Sequence, residues 1–197
     1  EVVACEGQLG GEPYHNPDAV LGSPTRRFLD PWSMEGSPVH RAKLVESAYN
    51  TDADGNPLLT TLKDGASITV KFDHMVLNDP QNPFGIDLLV FGNASYANNS
   101  FVSDLTDMNE CQLIGGIYDE PTTVSVSQDG KTWYTFSDGP FADSSFPTNA
   151  YQWDEGNAVW TDQPSDFTKP VDPALETTLT AGGVTAAQAI KLYAGSG

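Results

Sequence analysis

Apolar and polar residues alternate most cleanly in SITVKFD, where Ile68, Val70 and Phe72 are separated by Ser67, Thr69, Lys71 and Asp73. A period of two puts the apolar set on one face of a strand and the polar set on the other. A second run, IDLLVFG, holds Ile86 and then Leu88 to Phe91 almost unbroken, the pattern of a strand covered on both faces. Pro80, Pro83 and Gly85 punctuate the linker between them and predict a turn. The two runs are expected to be central strands of a β-sandwich. TTVSVSQDGKTWYTFS predicts a hairpin: Val124 and Val126 alternate with serine, Asp129-Gly130 makes the turn, and Trp133, Tyr134 and Phe136 return.

Elsewhere the pattern is weaker. Val2 and Val3 are expected to open an edge strand, and CQLIGGIY reads as a strand broken by Gly115 and Gly116. The segment EPYHNPDAVLGSPTRRF, with Pro13, Pro17, Pro24 and Gly22, reads as a wrapping loop. RAKLVESAY suits a short helix and an extended strand equally. The stretch from Pro140 to Pro173 is loop-like and aromatic. Helical spacing is convincing once, near the end of the chain. There Thr185 is placed to cap, Ile190 with Tyr193 and Ala189 with Leu192 form an apolar stripe, and Gly195 ends the helix. The expected class is mainly β: one antiparallel sandwich of jelly-roll type over 1–197, with long loops and one short C-terminal helix. At 197 residues a single domain with a real core is the simplest reading.

Charge narrows the partners. Nine Lys and Arg stand against 27 Asp and Glu, for a net charge of −18. Such a chain repels phosphate backbones and anionic membranes, which argues against nucleic acid as a partner. The acidity fits a solvated surface in a salty or extracellular setting, or carboxylates neutralised by Ca²⁺, which takes oxygen ligands. Asn50, Asp52 and Asp54 alternate ahead of Gly55, like the opening of an EF-hand loop. The bidentate glutamate position is Thr61, however, and an Asp-Gly-Asn turn explains the same letters without metal. Asp79 and Asp87, with Asn78 or Asn82, form a second candidate calcium set. A carboxylate at Asp87, heading an apolar run, needs a cation or several donors.

Cys5 and Cys111 suit one disulfide in an extracellular protein, contributing ~4 kcal/mol by loop entropy; the alternative is two buried free thiols. No run approaches a membrane span. The opening EVVAC fits a mature secreted form whose leader has been removed. Asn93 and Asn98 head Asn-x-Ser sequons.

Catalytic patterns are weak. His15, His40 and His74 fall in no zinc spacing, no nucleophile elbow or phosphate loop is present, and no His-paired signature surrounds Cys111. Asp154 and Glu155 sit between Trp153 and Trp160, but adjacent carboxylates seldom address one substrate, which weakens a glycosidase reading. Trp32, Tyr151, Trp153 and Trp160 lie in loop-like segments rich in Asn, Asp and Gln. Exposed aromatic faces stack on sugar rings while amides and carboxylates take the hydroxyls; the alternative is that these rings pack inward and cap one end of the sandwich.

Five segments, HNPDAVLGSPT, GASITVKFDHMVLNDPQNPFGIDLLVFGN, VSVSQDGKTWYTF, FADSSFPTNAY and PVDPAL with the helix after it, together resemble a family of secreted bacterial cell-surface proteins frequent in planctomycetes. The resemblance implies a sandwich akin to discoidin and carbohydrate-binding modules, exported from the cell, with no catalytic motif to carry over. Related chains run on past Gly-Ser-Gly into a further strand; here that strand is expected to be supplied differently, to lie on a separate piece, or to leave an edge open for a partner strand. Two functions follow as expectations. One is a secreted, non-catalytic protein that binds polysaccharide or matrix and is steadied by calcium. The other is an assembly subunit that joins itself or a partner chain through the open edge.

Overall fold

The computed structural model describes residues 1–22, 24, 56–100, 102 and 106–197. Trp32 and the set Asn50, Asp52 and Asp54 lie outside the described residues. Strand accounts for 26% and helix for 14%, so the chain is β-rich, and its paired strands are antiparallel. The described residues pack as two compact units, one within 1–88 and the other within 89–197.

In the first unit β1 (Val2–Glu6) pairs with β2 (Ser67–Val70), Cys5 opposite Ile68 and Glu6 opposite Ser67. The N-terminal ammonium donates to the Lys71 carbonyl at 2.8 Å and extends the ladder. SITV is therefore a strand, but its apolar set is not buried: Val70 is 43% and Phe72 46% exposed. IDLLVFG forms no strand, and Val90 is 52% exposed. Two features account for this. A tight turn at Pro83–Gly85 turns the chain through Phe84 at φ 59°. Asp87 then holds the loop, its Oδ1 accepting from the Asp79 N–H at 3.0 Å and the Asn82 amide at 2.8 Å. The run also straddles the division between the units after Leu88.

In the second unit β3 (Ser95–Asn98) pairs with β4 (Leu113–Tyr118), which continues through Gly115 and Gly116 at φ 92° and 94° but shifts register there, between the pairs Asn98–Leu113 and Tyr96–Ile117. β3 arises from a stretch, SYAN, in which the sequence patterning predicts no strand. The expected hairpin forms as β5 (Ser125–Val126) and β6 (Tyr134–Thr135); Asp129 Oδ1 accepts from the Lys131 and Thr132 N–H groups at 2.8 Å. A further hairpin, β7 (Tyr151–Asp154) and β8 (Val159–Pro164), occupies the region read as loop.

Two short helices follow. α1 (Glu176–Ala181) packs on β4 and went unread, because only Leu179 among its residues is buried and six residues carry no periodicity. α2 (Ala186–Leu192) has a full capping box: Gln188 N–H donates to Thr185 Oγ1 at 3.1 Å and Thr185 N–H to Gln188 Oε1 at 2.9 Å. Ala189, Ile190 and Tyr193 are buried as the stripe required, whereas Leu192 is 39% exposed.

The core of this unit gathers Tyr96, Met108, Leu113, Leu179, Ile190 and Tyr193. Tyr193 donates to the Pro147 carbonyl at 2.8 Å, and its oxygen lies 3.5 Å from that of Tyr96. Burial pushes the Tyr96 phenol up to about 12 and Tyr193 well above its ordinary value. Because the folded values lie above the unfolded one near 10, this stabilisation is complete below about pH 10 and lost as pH rises through about 12. Ultraviolet absorbance during base titration should show these two phenols ionising last and together with unfolding. Ionisation of either phenol near pH 10 with the fold intact would contradict the packing.

Gly182 supplies a second check. It sits at φ 75°, and a Cβ there would lie 2.3 Å from Gly115 N and 2.8 Å from Leu113 O, backbone atoms that cannot yield. Gly182→Ala should lose about 2–4 kcal/mol by urea denaturation. Gly183→Ala, with a similar φ but open space around it, should lose only about 1 kcal/mol.

Candidate binding groove

The β7–β8 hairpin sets Trp153 directly opposite Trp160, their rings 5.4 Å apart at 75°, an edge-to-face pair. Its turn is closed by Asp154. Oδ2 accepts from the Asn157 amide at 2.7 Å, and Oδ1 from the Asn157 and Gly156 N–H groups at 3.0 Å. These donors, the Asn157 amide foremost, hold the Asp154 carboxyl below the usual carboxylate range. Asp154 is thus a turn former.

The aromatic residues expected on one exposed rim have different fates. Trp160 is 5% exposed and belongs to the core, so it presents no face to a ligand. Tyr151 and Trp153 are half-buried and pack against that core. Trp153 also lines a groove of about 300 Å³. Gln152, Trp153 and Glu155 form one wall and Ala187, Ile190 and Lys191 of α2 the other.

The polar groups around the groove are anchored. Gln152 donates to Ser165 Oγ at 3.0 Å, and its carbonyl accepts from Thr161 Oγ1 at 2.9 Å. Lys191 Nζ meets Glu155 Oε2 at 3.1 Å, with both side chains more than half exposed. Asn109 donates to the Glu155 carbonyl at 3.3 Å. Beyond this rim, the indole N–H of Trp153 and Oδ1 of Asn149 are enclosed without a hydrogen-bond partner among the described residues. Each such group costs about 1–3 kcal/mol. Sequence reading found Trp153 but missed Gln152 and Lys191 as its companions; α2 was legible as a helix, but not which strand its exposed edge would face.

The candidate calcium ligands Asp79 and Asp87 do come together, in one loop with Asn82. Asp87 Oδ1 already takes two protein donors, and Asp79 Oδ1 accepts from the Gln81 N–H at 2.9 Å. Hydrogen-bond donors thus answer the need that the sequence posed at Asp87. Among the described residues no group of three or more His, Cys, Asp and Glu is gathered as a cation would require. His15 pairs with Glu12 at 3.4 Å and His74 with Asp73 at 2.6 Å. No described helix is long and apolar enough to cross a membrane.

Of the two cysteines expected to form a bridge, each stands as a free thiol within its own unit. Cys5 is exposed on β1, whereas Cys111 has no exposure inside the second unit's core. Burial also pushes the Cys111 thiol up, away from the reactive thiolate.

No family model, curated protein or solved structure matches the chain. The groove therefore rests on its geometry.

Thiol labelling tests the cysteine assignment. One equivalent should react at once in native protein and the second only on unfolding, with no gain on prior reduction; a second thiol that appears only after reduction would restore the bridge.

Proposed function

We propose that this protein is an extracellular, non-catalytic carbohydrate-binding protein whose ligand seats against Trp153 in the groove between β7 and α2. One observation carries the reading: a half-buried indole lines a groove of about 300 Å³ beside an amide, a carboxylate and an ammonium, from Gln152, Glu155 and Lys191. An apolar ring face with a few convergent polar groups is what sugar recognition needs. A binding role is favoured over hydrolysis because the neighbouring Asp154 carboxylate is committed to its turn. The extracellular setting draws on the net charge of −18 and on the resemblance to exported planctomycete surface proteins. That resemblance also supplies the jelly-roll, discoidin-like sandwich as the proposed architecture, and the β-rich, antiparallel character of the chain supports it. Calcium belongs to the proposal through Asn50, Asp52 and Asp54 and the acidic loop at Asp79 and Asp87.

A second reading, assembly through an open sheet edge, is favoured by the β5–β6 hairpin. It is two-stranded, and Val126, Trp133, Tyr134 and Phe136 on it are exposed. Such a hairpin is marginal alone and would gain from a further strand supplied by a copy or a partner.

A glycan array with and without EDTA, repeated with Trp153→Ala, tests the proposal. Wild type should bind at least one polysaccharide class, the variant should lose about tenfold or more, and EDTA should lower both binding and the melting midpoint. Binding that Trp153→Ala leaves intact would remove the groove. An empty array with growth of mass in light scattering would favour assembly.

A further inference from the structure

We infer that the groove takes an uncharged saccharide segment of one or two rings, with Glu155 and Lys191 acting together as its hydroxyl partners. This deepens the carbohydrate-binding reading and rests on it. The argument is one of charge. The chain carries −18, yet the two ionic side chains lining the groove have opposite sign and stand 3.1 Å apart. Two further charges beside the lining also have opposite sign: the Asp154 carboxylate, held by Asn157 and Gly156, and the Lys169 ammonium, which donates to the Ala194 carbonyl.

An acidic ligand would have to approach Glu155 and the field of the whole anionic chain, while an amino ligand would bring a second cation against the Lys191 ammonium. A neutral ring meets neither cost. Because both members of the pair are more than half exposed, their mutual attraction is weak. The ammonium keeps spare donors and the carboxylate spare lone pairs, suited to adjacent hydroxyls that donate to one and accept from the other. Trp153, Ile190 and Ala187 supply the apolar floor. A volume of about 300 Å³ is at the lower end of small-molecule sites, about 300–1,000 Å³, which limits the seated segment to a short one.

Calorimetric titration with neutral trisaccharides (glucan, mannan, galactan and xylan), a uronate trimer and a glucosamine trimer tests this at low and high sodium chloride. At least one neutral trimer should bind, changing less than about twofold between the two salt concentrations because no ligand charge is screened. Glu155→Ala and Lys191→Ala should each weaken it about tenfold, while circular dichroism stays that of wild type. Tighter binding of the uronate or glucosamine trimer, abolished by Trp153→Ala, would overturn the neutral-ligand inference and leave the groove as a sugar site. Neutral binding unmoved by both single variants would overturn the role of the pair. Absence of binding by every probe would overturn this inference, and the parent reading falls only if the glycan array is empty as well.

Discussion

The second unit depends on one exchange of backbone hydrogen bonds, between the segment entering α2 and the segment entering β4. Leu113 donates to Val184 at 2.9 Å, Gly183 to Leu113 at 2.8 Å, Ala186 to Cys111 at 2.8 Å and Ala187 to Met108 at 2.9 Å. The link from Gly182 to Thr185 thereby runs beside the start of β4, with Thr185 bridged to Gln112, and groups that would otherwise be buried and unpaired are satisfied. The approach is close enough that only glycine fits at 182. Because α2 begins on this seam, the seam also fixes where Ile190 and Tyr193 enter the core and where Ala187 and Lys191 stand as one wall of the groove.

The opposite wall is fixed by a second set of polar ties. Asn149, fully buried at the approach to β7, donates to Ser165 Oγ at 3.2 Å and to the Ser196 carbonyl at 3.4 Å. Ser196 Oγ donates to the Pro170 carbonyl at 3.1 Å, and Asp166 N–H donates to the Gly195 carbonyl at 2.8 Å. The last residues of the described chain are thus bound to the strand that leaves the hairpin. A buried polar network of this kind favours one arrangement over its alternatives, and here it sets the distance between β7 and the end of α2.

What could be read from the sequence was what local chemistry decides alone. Asp129-Gly130 makes its own turn, and Thr185 with Gln188 makes its own cap; both were legible. The β strand at SITV was legible, but not its burial, since alternation says which residues share a face and not whether anything covers it. IDLLVFG misled because hydrophobicity was taken as evidence of a covered strand, while Asp87 and the turn through Phe84 shape the backbone there. The β7–β8 hairpin was hidden by its tryptophans, whose spacing resembles a binding loop as much as a cross-strand pair. Of the candidate site, Trp153 was found and its partners across the groove were not, because their meeting depends on contacts between residues more than thirty apart in the chain.

Native-state hydrogen exchange bears most directly on the seam between Gly182–Ala187 and Met108–Leu113. The amides of Leu113, Gly183, Ala186 and Ala187 should be among the slowest in the protein, exchanging only with global unfolding, while those of the exposed β5–β6 hairpin exchange far sooner. Rapid exchange at these four amides, on the timescale of the hairpin, would contradict the account.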